Sequence, residues 1–154
     1  MTATNHAVTG AVIAVLVSNP LIAIPTAFLA HFVMDAVPHF GLNIQDHNKR
    51  NSNKIFRYIL IGDVILSGLL LILIPIVLTP AYNWFLVFGA MLACMSPDLV
   101  WGWHFYYELK TKKQRVKKWF SRFHAKIQWS ETLPGGLVEL AWYVGAVSLL
   151  VQIV

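Results

Sequence analysis

The chain has 154 residues, 57% of them hydrophobic and 12% charged, with twelve Lys and Arg against seven Asp and Glu. Soluble domains carry about a quarter charged residues, and disorder requires low hydrophobicity with high charge. A mean hydropathy of +0.61 and a net charge of +5 exclude both classes. The single cysteine, Cys94, rules out an internal disulfide and a CxxC zinc site, and no Walker or GxGxxG phosphate loop is present.

Residues 7–17 are apolar but short for a membrane span, and Ser18-Asn19-Pro20 ends the run. Residues 21–38 are long enough to cross, with Pro25 near the start, where proline is tolerated. Residues 4–38 therefore read as a helical hairpin with a short or tilted first arm. No basic n-region precedes it, so a cleaved secretory signal is not expected.

Residues 55–78 and 84–104 form two further spans, each of the roughly 20 apolar residues a bilayer requires. Thr79-Pro80-Ala81-Tyr82-Asn83 separates them, and nothing between Asp63 and Asp98 is charged. Residues 133–154, after Pro134 and two glycines, form the last span. A very apolar soluble core is the alternative, but five such runs leave no polar face to cover it. The expectation is an all-α, polytopic membrane helix bundle of about five transmembrane helices, the first one short. The whole chain, 1–154, reads as a single integral membrane domain.

The cations are concentrated: four Lys and Arg lie in 49–57 and eight in 110–126. In a five-helix chain both segments follow even-numbered helices and lie on one face. The positive-inside rule makes that face cytoplasmic, with the N-terminus inside and the C-terminus outside. A prokaryotic cytoplasmic membrane is the expected location. The second segment carries Trp119, Phe120 and Phe123 among its cations, as an amphipathic interfacial helix does. Lys117, Lys118, Arg122 and Lys126 are candidates to hold a lipid headgroup. Membrane lipids are the expected partners, a homo-oligomer is allowed, and nucleic acid is not expected.

Ionisable residues inside spans are costly and mark functional sites. They are His31, Asp35, Asp63, Asp98 and Glu139, with His6, His39 and His104 at helix ends and His124 in the basic segment. His31 and Asp35 are one helical turn apart, and His39 continues the stripe. That spacing suits a helical metal site, and imidazole with carboxylate suits zinc first, then manganese or iron. The plain alternative is a His–Asp pair that locks helices together. Counting inward from the cytoplasmic face at about 1.5 Å per residue puts His6, His31, Asp35, Asp63, Asp98 and Glu139, from five different helices, in the inner half of the bilayer. The outer half of the bilayer carries no ionisable side chain, which disfavours a through-pathway.

Pro97 frees a carbonyl inside the fourth span and predicts a kink or a site. Trp101, Trp103, Tyr106 and Tyr107 read as an interfacial belt that includes His104. His124 and Gln128 have one-turn spacing and can close over the site. Asp46 and His47 read as exposed loop residues, and Glu131 as a helix-start acid.

Three motifs carry a family resemblance: His6-Ala-Val-Thr-Gly10, Ala30-His31-Phe-Val-Met-Asp35-Ala-Val-Pro-His39-Phe-Gly41, and Ser96-Pro97-Asp98. The chain resembles the YdjM-like inner-membrane metal-dependent hydrolases, grouped distantly with zinc phospholipase C and P1-type nucleases. The third motif continues Leu-Val-Trp101, without the family's second Asp and His, and Gln128 stands where a further histidine is expected. The resemblance implies a metal-dependent hydrolase with a reduced ligand set.

Residues and resemblance together lead to a membrane-embedded hydrolase of a phosphoester, that of a lipid, at the cytoplasmic leaflet. His6, His31, Asp35, His39, Asp63, Asp98 and His124 are the candidate ligands of a divalent metal. Such an ion polarises a phosphoryl oxygen and activates water, with Glu139 or Asp98 as general base. The competing reading is a non-enzymatic scaffold or binding protein, or a small ion or proton pathway, with a structural His/Asp cluster.

Overall fold

The computed structural model describes residues 1–42, 53–79, 81–111 and 119–153. The expectations for Asp46, His47, Lys117 and Lys118 concern residues outside these. Among the described residues there are six helices: α1 (Ala3–Val17), α2 (Pro20–Ala36), α3 (Lys54–Leu78), α4 (Trp84–Thr111), α5 (Trp119–Ile127) and α6 (Gly135–Ile153). Two short strands, β1 (His39–Phe40) and β2 (Glu131–Thr132), pair in parallel, His39 opposite Glu131. The architecture is the all-α bundle the sequence predicts.

Helices α3, α4 and α6 are long and apolar enough to cross a membrane. Helices α1 and α2, of 15 and 17 residues, are apolar but shorter. At about 1.5 Å per residue they reach about 22–25 Å, less than a hydrocarbon core of about 30 Å. By length, then, three of the five expected spans qualify. The second arm is shorter than expected because Pro38 forces Val37 out of helical geometry, to φ −77 and ψ 146.

Helix α1 is the centre of the bundle. Its residues from Thr4 to Val12 are all buried, and it packs against α2, α3, α4 and α6. Gly10 permits the closest approach: a Cβ there would lie 2.6 Å from the Ala90 carbonyl oxygen and the Met91 Cα of α4. Helix α3 is the opposite case. It buries Ser67, Pro75 and Leu78 and exposes Ile61, Ile65, Leu69 and Ile72, which is what a lipid-facing helix does.

Helix α4 does not break at Pro97 but runs through it from Trp84 to Thr111. Proline removes the N–H that Ala93, four residues back, would accept. The Ser96 hydroxyl donates to the Ala93 carbonyl instead, at 2.8 Å. The β1–β2 pair ties the end of α2 to the start of α6. Gly135 is required there, since a Cβ would lie 2.1 Å from the His39 carbonyl oxygen. Glu131 belongs to this pair rather than to the first turn of α6.

Candidate metal centre

The start of α1, the end of α2, the start of α3, the late part of α4 and the start of α6 meet at one end of the bundle. The backbone N–H groups that open a helix have no partner within it, and inside a membrane no water supplies one. Thr2 makes no side-chain cap for α1. Two carboxylates from other helices cap it instead. Asp63 of α3 accepts from the Ala3 N–H (2.8 Å), the Thr4 N–H (3.0 Å) and the Thr4 hydroxyl (2.7 Å). Glu139 Oε1 of α6 accepts from the N–H groups of Thr2 (3.1 Å) and Phe40 (3.3 Å). Negative charge at a helix start also complements its dipole.

Beside these caps, His31, Asp35, Asp98 and His124 each offer one ligand atom, and those atoms lie within 4.8 Å of one another. His31 Nε2 is 2.9 Å from His124 Nε2, 3.2 Å from Asp35 Oδ2 and 3.9 Å from Asp98 Oδ1. His124 Nε2 is 2.9 Å from Asp35 Oδ2 and 3.8 Å from Asp98 Oδ1. A tetrahedral ion bound at about 2.1 Å holds its ligand atoms about 3.4 Å apart. The observed spacings bracket that value.

The tautomer fits as well. His31 Nδ1 lies 2.8 Å from the Cys94 carbonyl oxygen, which can only accept, so Nδ1 carries the proton. Nε2 of His31 is then the ring atom that faces His124 Nε2 and Asp35 Oδ2. A backbone carbonyl that fixes the ring nitrogen remote from the metal is the usual support of a ligating histidine. Asp35 is fixed in turn by Gln128, whose Nε2 donates to its Oδ2 at 3.1 Å.

The remaining candidates divide. His6 stacks on His31, with ring centroids 4.0 Å apart. Its Nε2 reaches the outer oxygens of the same two carboxylates, Asp35 Oδ1 at 3.2 Å and Asp98 Oδ2 at 3.7 Å. The Met1 amino group also bonds Asp35 Oδ1. His39 is not brought into the group. Its Nδ1 donates to the Val37 carbonyl at 2.8 Å, and its Nε2 is 4.0 Å from Glu131 Oε1. Asp63 and Glu139 stand beside the group as caps of α1. His104 links α4 to α5 through Ser121, at 3.3 Å.

Helix α5 is amphipathic as expected and packs His124 inward. Arg122 and Lys126 are exposed. Each is two positions from His124, about 200° around the helix, so both lie on the face away from the ligand group. The sequence reading missed the Cys94 carbonyl and the capping of α1 from α3 and α6. The first has no side-chain signal. The second had one: two acids at matching depth beside a helix start that carries no acid of its own.

Asp98, Asp63 and Glu139 also line a cavity of 770 Å³ between α3 and α4. A smaller one of 180 Å³ reaches His124 from the side of α5. Comparison of the chain with protein-family models, with curated proteins and with solved structures gives no match.

Proposed function

We propose that the chain is a membrane-embedded, metal-dependent hydrolase that cleaves a phosphoester of a membrane lipid at the cytoplasmic leaflet. The observation that carries this reading is the ligand group itself. Two imidazoles and two carboxylates converge at ligand spacing, with the His31 tautomer set for ligation. Zinc suits such a donor set, with manganese or iron as alternatives. A bound divalent ion would supply Lewis-acid polarisation of a phosphoryl oxygen and activation of water.

The protein's own residues do the rest. His31 and His124 are held by the Cys94 carbonyl and by Asp35. Asp98 lines the large cavity, and its oxygens stand 3.7–3.9 Å from the nearest imidazoles. As a ligand it would use Oδ1, the oxygen nearest His31 and His124, which would leave Oδ2 to accept a proton from attacking water. Glu139, tied to two backbone N–H groups on the same cavity wall, positions the start of α1. The positive-inside rule, applied to the two basic segments, favours the cytoplasmic side for this end of the bundle. The motif resemblance to the YdjM-like hydrolases points the same way.

A structural lock is the second reading. It is favoured by the number of donors that Asp35 already satisfies: His6, His124, Gln128 and the Met1 amino group. Elemental analysis of the purified protein beside His31→Ala and Asp35→Ala separates the two. The hydrolase reading expects near-stoichiometric metal, lost in both variants, and metal-dependent cleavage of a phospholipid or lipid phosphate. Absence of metal after reconstitution with zinc, manganese and iron in turn, with Asp35→Ala melting lower, would leave the lock.

A further inference from the structure

The 770 Å³ cavity is a slot in the wall of the bundle. One side is a stripe on α3 that includes Leu60, Val64 and Leu71, and the other a stripe on α4 that includes Leu92, Met95 and Leu99. Both stripes follow helical spacing, so each is one continuous face. Lining residues run from Phe56 to Leu71 on α3 and from Tyr106 to Leu92 on α4, about 20 Å at about 1.5 Å per residue. Polar groups gather on the inner wall, where Asp98 joins the ligand group. At the mouth, Val64 and Leu99 are 58% and 54% exposed. Phe56 bridges above to Trp101 and Phe105, ring centroids 6.4 and 5.9 Å away.

We propose that this slot takes one hydrocarbon chain of a lipid, admitted sideways from the bilayer between α3 and α4, so that its phosphate arrives at Asp98. For that phosphate, the inference rests on the hydrolase reading above. Size selects the occupant. The volume lies within the range of about 300–1,000 Å³ typical of small-molecule sites. A helix about 10 Å across and 20 Å long would fill roughly 1,600 Å³, so a partner helix does not fit. The surroundings select the route. The exposed face of α3 beside the mouth is Ile61, Ile65, Leu69 and Ile72, so the medium there is hydrocarbon. A slot of about 20 Å also matches one leaflet, about half of a core of about 30 Å, plus the interface.

Gly68 gives the test. It lines the slot, and a Cβ on it would meet nothing within 4 Å. Gly68→Phe should plug the inner half without disturbing the core. Gly102→Leu, at a second open position of the lining, is an independent plug. Gly62→Phe is the control, equally open but outside the lining. Native mass spectrometry would titrate oleoyl and octanoyl lysophosphatidic acid, with glycerol 3-phosphate as the chain-free arm and oleoylglycerol as the phosphate-free arm. Metal content and thermal unfolding would be measured on each variant.

The unmodified protein should prefer the oleoyl to the octanoyl probe. Gly68→Phe should weaken oleoyl binding by about tenfold or more, since even one lost methylene contact is worth about that. Octanoyl binding should fall by less, and metal content and the Gly62→Phe control should be unchanged. Equal oleoyl affinity in both plugged variants, or an equal loss in the control, would overturn the slot. If Gly68-sensitive binding persists but oleoylglycerol binds as well as its phosphate and nothing is cleaved, the slot stands and the hydrolase reading falls.

Discussion

Asp63→Ala separates two roles that the sequence could not. Read from depth alone, Asp63 is a metal ligand. In the structure its carboxylate accepts three hydrogen bonds, at 2.7–3.0 Å, from the first turn of α1. Losing an N-cap typically costs about 0.5–2 kcal/mol, and hydrogen bonds to a charged group contribute about 1.5–3 kcal/mol net. These overlap, since one carboxylate supplies all three, so about 2–4 kcal/mol is expected. For a chain of this size 1 kcal/mol moves the melting point by about 2–4 °C, which makes the drop roughly 5–15 °C. Asp63→Asn, which can still accept but has lost its charge, should fall in between. Thermal unfolding in detergent gives the shift, and elemental analysis of the same samples gives the metal content. The capping role predicts a lower melting point with metal retained. Loss of metal at an unchanged melting point would refute it and return Asp63 to the ligand set.

Three further outcomes follow from particular contacts. Gly10→Val must push a Cβ against the Ala90 and Met91 backbone, so it should cost about 1–3 kcal/mol or more by overpacking. Gly62→Val, facing open space, should leave the melting point nearly unchanged, and parity between the two would discredit the close α1–α4 contact. Gln128→Leu removes a donor to Asp35 but no ligand, so metal affinity should fall about 10–100-fold in chelator competition while the bundle stays folded. Arg122→Ala with Lys126→Ala should leave metal content intact and weaken association with anionic vesicles, by about 1 kcal/mol per cation. If that pair abolished metal binding, the outward placement of Arg122 and Lys126 would be mistaken.

What was legible depended on which solvent each residue faces. Charge-free runs and the Pro-containing breaks located the helices to within a few residues, because a bilayer tolerates few alternatives, except at the end of α4, which runs past the expected 104 to Thr111. Two basic segments on one face implied an up-down order, and the structure does bring His6, Asp35, Asp98 and Glu139 to one end. His31 and Asp35 were visible as a pair because one-turn spacing is local. Partnerships between helices were not visible, so the caps Asp63 and Glu139 read as a ligand and a general base. Any acid at the right depth serves either purpose, and only the register of α3 and α6 against α1 decides. The central position of α1 was the larger surprise. Hydropathy cannot separate a buried helix from a lipid-facing one, because lipid tails are as apolar as a protein core. Side-chain size can. Helix α1 carries Ala7, Gly10, Ala11 and Ala14, all buried and spaced along one side, where α3 carries Ile61, Ile65, Leu69 and Ile72. Small residues at helical spacing allow backbones to approach, while large ones meet fluid chains. That contrast marks α1 as the helix the others close around. Its N-terminus is therefore the one that must find its capping groups in the rest of the bundle, at the same end where the ligand group assembles.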